Sequence, residues 1–146
     1  VYNTAGERLS QLGWKGGGPG ELLEPTDVAL DGRGAIYVVD TSNQRVQHLD
    51  PWGGYRTEWP IPAAGPYNGP HLALAPDGSL LMTAPERHQI QRYSPDGTLL
   101  GEWGSLGMAA GQFRIPVGLA VDQARNVYVA DTLNHRVQKF VLRGGE

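Results

Sequence analysis

The chain has 146 residues, a length that fits one domain. Charged residues make up 18% and hydrophobic ones 40%, which argues against disorder, and no apolar run nears the roughly 20 residues needed to span a bilayer. Cys is absent, which removes disulfide and thiolate chemistry, and a net charge of −3 without a Lys/Arg cluster argues against a nucleic-acid partner. The compartment stays open: no signal-peptide pattern is visible, Val1 stands in place of a Met, and Cys-free chains occur on both sides of a membrane.

The chain is organised by a repeat registered on Pro25, Pro70 and Pro116, with spacings of 45 and 46 residues. Residues 1–24 extend the register backwards. Tyr2, Gly6, Leu9, Gly13, Gly20, Leu22 and Pro25 lie 91 residues before Tyr93, Gly97, Leu100, Gly104, Gly111, Phe113 and Pro116. Val1 and Tyr2 therefore read as the tail of a third strand, and residues 8–12 as an orphan fourth strand followed by a connector.

After each Pro comes a short apolar run, 28–30, 72–75 and 119–121, which reads as an inner strand. Asp/Asn/Gly turns follow, because these residues tolerate left-handed backbone or bond their own main chain. A second strand is expected at 35–39, 80–83 and 127–130. A third, alternating apolar with polar, is expected at 45–49, 89–93 and 136–140. Turns containing Gly53-Gly54 and Asp96-Gly97 then lead to fourth strands at 55–59 and 98–103. The blades so defined are 25–69, 70–115 and 116–146, the last lacking its fourth strand after the turn at 143–145. Four strands in about 45 residues, repeated, predict the blades of an all-β propeller.

The stretch Tyr128-Val-Ala-Asp131-Thr-Leu-Asn134-His135-Arg136-Val137-Gln138-Lys139-Phe140 and its counterpart from Tyr37 to Leu49 resemble NHL repeats, named for an Asn-His-Leu signature. Gly111-Gln-Phe113, Pro116 and Gly118-Leu-Ala-Val-Asp122 extend the likeness. The middle repeat departs from it, with Ala84 where Asp is usual, Arg87 where Asn is usual and Gln89 where Arg is usual. NHL relatives are typically six-bladed, so the resemblance implies half a propeller. Three blades do not close a ring and leave two apolar faces open. A homodimer would restore six, with the orphan strand of one copy completing the last blade of the other. Whether the chain is a fragment or an engineered half-propeller is left open.

The signature residues Asp40, Asn43, Arg45, Asp131, Asn134 and Arg136 read as structural, since a group recurring per blade suits amide satisfaction better than catalysis. Thr26, Asn43, Gln44, His71, Arg87, His88, Val117, Asn134 and His135 are expected to rim the channel mouth, where a protein or small molecule could bind. His71 is a weak metal candidate: one His per chain is a poor zinc site, and no catalytic residue, cofactor or metal is assigned. His48, aligned with Arg92 and Lys139, is expected to be solvated. Trp59 and Trp103 are expected between blades, and Trp14 and Trp52 in exposed loops. The reading is a non-catalytic scaffold or binding module whose partner is its own second copy, with no nucleic acid and no membrane. The alternative is a lyase resembling the amidating or streptogramin-inactivating members, with its site at the central channel.

Overall fold

The structure, a computed structural model, describes residues 1–62, 64 and 69–143. The turn read at 143–145 lies almost wholly outside these residues, as does part of the connector before Pro70. Among the described residues, thirteen strands form four sheets. The first blade is β3 (Pro25–Leu30), β4 (Ile36–Asp40), β5 (Arg45–Leu49) and β6 (Tyr55–Pro60), antiparallel in that order. The second is β7 (Leu72–Leu74), β8 (Leu80–Ala84), β9 (Gln89–Tyr93) and β10 (Leu99–Trp103), in the same order. The third has β11 (Pro116–Val121), β12 (Asn126–Asp131) and β13 (Arg136–Val141). Its outer edge carries no strand among the described residues. A small parallel pair, β1 (Trp14–Lys15) and β2 (Glu21–Leu22), lies in the first connector.

The turns form for local reasons. Asp31 Oδ1 accepts the N–H groups of Arg33 and Ala35, and Asp122 Oδ1 accepts that of Asn126. Between second and third strands a single 3-10 turn recurs at Thr41–Asn43, Pro85–Arg87 and Thr132–Asn134. Each closes on a left-handed residue, Gln44, His88 or His135, with φ of 55°, 57° and 54°.

Successive sheets stack face to face. Strand alternation sends Tyr37 and Val39 to one face of the first sheet, where they meet Leu72, Leu80, Met82 and Tyr93 of the second. The second sheet's Leu81 and Ile90 meet Val127 and Val129 of the third, sealed by Phe113 from the connector. Trp59 packs between blades against Tyr93, with ring centroids 6.0 Å apart, and Trp103 meets Phe140 at 5.9 Å. Gly97 lies under that indole: a Cβ there would stand 2.5 Å from the Trp59 ring. At the free face of the first sheet, Ile36, Val38 and Leu49 cluster with Leu22 alone.

Residues 8–12 do not form the expected strand. Arg8 makes an antiparallel bridge to Tyr2, and the Leu9 and Ser10 N–H groups donate to the Val1 carbonyl. An outer strand needs a neighbour along its length, and among the described residues Val1-Tyr2 is the only one alongside. The bridge nonetheless keeps the repeat register, since Tyr2↔Arg8 corresponds to Tyr93↔Leu99.

Candidate functional site

The signature residues gather in two equivalent clusters. Asp40, at the end of β4, is fully buried. Its Oδ1 accepts the Leu23 N–H at 2.7 Å. Its Oδ2 accepts Arg45 Nε at 2.7 Å, Asn43 Nδ2 at 2.9 Å and Gln47 Nε2 at 3.2 Å. Asp131 repeats the set with the Arg114 N–H, Arg136, Asn134 and Gln138 at 2.7, 2.8, 2.9 and 3.1 Å. The donors then grip the preceding connector. Arg45 Nη2 donates to the carbonyls of Gly18 and Glu21, and Arg136 Nη2 to those of Ala109 and Gln112. Asn43 and Asn134 donate to the carbonyls of Gly16 and Gly107. Each clamp ties a blade to the loop that enters it.

Burial raises the proton affinity of Asp131, but the Arg114 N–H, Asn134 and the Arg136 guanidinium outweigh it, so its carboxyl ionises below the usual range. Gln47 and Gln138 were not singled out from sequence. The signal was there: Gln47, Gln91 and Gln138 occupy one position in all three repeats.

Several of the expected rim residues are engaged in joining neighbouring blades. Thr26 Oγ1 sits 2.6 Å from Thr41 Oγ1 and donates to the Pro70 carbonyl at 3.3 Å. Thr83 Oγ1 accepts the His71 N–H and donates to the Val117 carbonyl, both at 2.9 Å. His71 Nδ1 faces Asp27 Oδ2 at 3.3 Å, and the same oxygen accepts the Leu72 N–H. Asp27, missed from sequence, thus bridges the first two inner strands. His88 Nδ1 accepts the Ile115 N–H at 3.2 Å, and the Gln44 side chain makes two bonds to the Ala64 backbone. Arg87 and His135 are exposed. Asp77 pairs with Arg92 and Arg125, each at 2.8 Å, and so joins the second blade to the third.

His48 corrects an expectation. It is half-buried and stacked on Tyr37, centroids 4.4 Å apart, because the first blade places an aromatic ring beside it. Burial lowers its pKa, with Arg56 adding to the fall and Asp31 opposing it. Among the described residues, no three His, Asp or Glu side chains gather in a way that could hold a metal ion. The larger concavities, of about 380 and 390 Å³, lie over the open edge of the third blade and the free face of the first.

Antiparallel sheets of up to four strands, repeated and stacked face to face, are β-propeller blades. The NHL repeat family matches residues 22–49 and 113–140, the two segments that carry an Asp clamp, so the chain contains two NHL repeats. A curated relative, the B-box type zinc finger protein ncl-1 of Caenorhabditis elegans, is 30% identical over 132 residues, covering 86% of this chain and 15% of its own. The fold is similar to that of virginiamycin B lyase from Staphylococcus aureus, solved as a catalytically inactive variant with quinupristin, at 19% identity and a TM-score of 0.57. That match covers 83% of this chain and 42% of the lyase. A protein of unknown function from Bacteroides thetaiotaomicron gives a TM-score of 0.61 at 20% identity, covering 79% of this chain and 35% of its own. The chain thus spans less than half the length of these relatives, and at such identities the solved structures speak for the fold alone.

Proposed function

We propose that this chain is a non-catalytic β-propeller binding module whose three blades become a six-bladed ring by association with a second copy. One observation carries the reading. Val137 on β13 is 68% exposed, whereas its repeat counterparts Val46 and Ile90 are 0% exposed. At the other end of the stack Leu30 is exposed, while its counterpart Val121 packs against the core between blades two and three. Two apolar faces of matching repeat position face solvent, and each is the surface that the other covers within the stack. An interface of that kind buries more than about 2,000 Å² when obligate.

The non-catalytic half of the reading is supported by where the polar groups go. The carboxylates and guanidiniums that recur are engaged by the chain's own amides and carbonyls. Loops at the channel mouth, with Arg87 and His135 exposed, remain to meet a protein or small molecule.

Size-exclusion chromatography with light scattering tests the assembly. The expected mass is twice the 15.8 kDa of one chain. A well-dispersed monomer at micromolar concentration would overturn the reading.

A further inference from the structure

The register in which two such copies would meet is supplied inside the molecule. In the second blade, β9 and β10 pair Tyr93 with Leu99, Arg92 with Gly101, Gln91 with Glu102 and Ile90 with Trp103. The repeat offset of 91 residues carries Leu99, Gly101, Glu102 and Trp103 onto Arg8, Ser10, Gln11 and Leu12. An offset of 47 carries Tyr93, Arg92, Gln91 and Ile90 onto Phe140, Lys139, Gln138 and Val137.

Residues 8–12 already occupy the place of a fourth strand against the first blade. Leu12 lies over Gly53, where a Cβ would approach its Cδ2 to 2.7 Å, as Trp59 lies over Gly97. What they lack is a third strand alongside. That edge is held by the chain's own N-terminal hairpin. Tyr2 bridges Arg8, Asn3 N–H donates to the Glu7 carbonyl, and Gly6 N–H donates to the Asn3 carbonyl. Each contact copies one in the second blade: Tyr93 with Leu99, Ser94 N–H to Thr98, and Gly97 N–H to Ser94.

We propose, on the ring reading above, that residues 8–12 and β13 of two copies exchange pairing in the register Arg8 with the partner's Phe140, Ser10 with the partner's Lys139, Gln11 with the partner's Gln138 and Leu12 with the partner's Val137. Tyr2 is then a place-holder for Phe140. Both claim the same edge of Arg8, so the hairpin opens as the ring closes. A second contact follows from the same equivalence. His88 Nδ1 accepts the N–H of Ile115, a residue with φ of 53°. Glu24 is the matching turn residue, with φ of 49°, and its N–H meets the His135 ring of the other copy.

The absence of Cys makes the register directly readable. Paired strand positions hold Cα atoms about 4.5–5.5 Å apart, within disulfide range. Two full-length variants, Ser10→Cys/Lys139→Cys and Leu12→Cys/Val137→Cys, are oxidised and examined by intact mass and non-reducing gel. Covalent dimers from both are expected. A dimer by light scattering that neither pair cross-links overturns the register and leaves the ring reading standing. A monomer overturns both. Gly6→Val reads the place-holder: Gly6 has φ of 82° with nothing within 4 Å of a built Cβ, so the change strains only the hairpin backbone. The dimer dissociation constant should fall by about threefold to tenfold. An unchanged or weaker dimer overturns the competition.

Discussion

The first and third blades meet their entering loops with a buried carboxylate, whereas the second has Ala84 at that position, 4% exposed. The difference follows from what each blade has to hold. The loops that run into Leu23 and Arg114 present many free amides and carbonyls, and the Asp40 and Asp131 clusters satisfy them. The loop into the second blade carries Pro60, Pro62, Pro66 and Pro70, so it offers fewer N–H donors. Its described tethers come from the blade before it: the Gln44 carbonyl accepts the Ile61 N–H, and the Gln44 amide grips Ala64. Repeats that look alike can therefore fix the same junction from opposite sides.

Removing the clamp should break the comparison most sharply. Asp40→Ala removes the buried acceptor of the Leu23 N–H, Asn43 and Gln47, leaves Arg45 with the half-exposed Glu58 as its remaining counter-charge, and should cost about 3–5 kcal/mol in urea unfolding. Asp131→Ala should cost less, about 2–3 kcal/mol, because Arg136 retains 32% side-chain exposure and recovers hydration. The converse graft tests the second blade. Ala84→Asp places a carboxylate where position 89 is Gln rather than Arg, and should destabilise by about 2–4 kcal/mol. Adding Gln89→Arg should recover part of that loss.

Acid should reveal the third blade's clamp. Because folding lowers the Asp131 pKa, its stabilising effect is complete above the unfolded carboxylate value near 4 and is lost as pH falls through the lower folded value. Wild type should therefore lose stability steeply below about pH 4, and Asp131→Asn should flatten that slope. The smallest effect belongs to Gln44→Ala, about 1 kcal/mol from the loss of two side-chain hydrogen bonds to the Ala64 backbone.

Most strands were legible because Asp, Asn and Gly mark the turns and alternation marks the faces; β5 and β9 fall at residues 45–49 and 89–93, as the pattern places them. Residues 8–12 keep the repeat register through the Tyr2–Arg8 bridge but form no continuous strand, because pairing along the whole length, not propensity, makes an outer strand. In the clusters, Asp40 and Arg45 stand out by spacing. Gln47 hides as a polar residue on a half-buried strand, and Asp27 has no repeat counterpart: Leu72 and Gly118 take its place. The stacking of His48 on Tyr37 depends on which neighbour a strand brings alongside, which a one-dimensional pattern does not carry.

The bare backbone at Gly97 works as a spacer. By admitting the Trp59 indole flat against the chain, it lets adjacent sheets approach at their outer ends. Any side chain there would act as a wedge, splaying the two sheets outward and changing how many of them complete a circle.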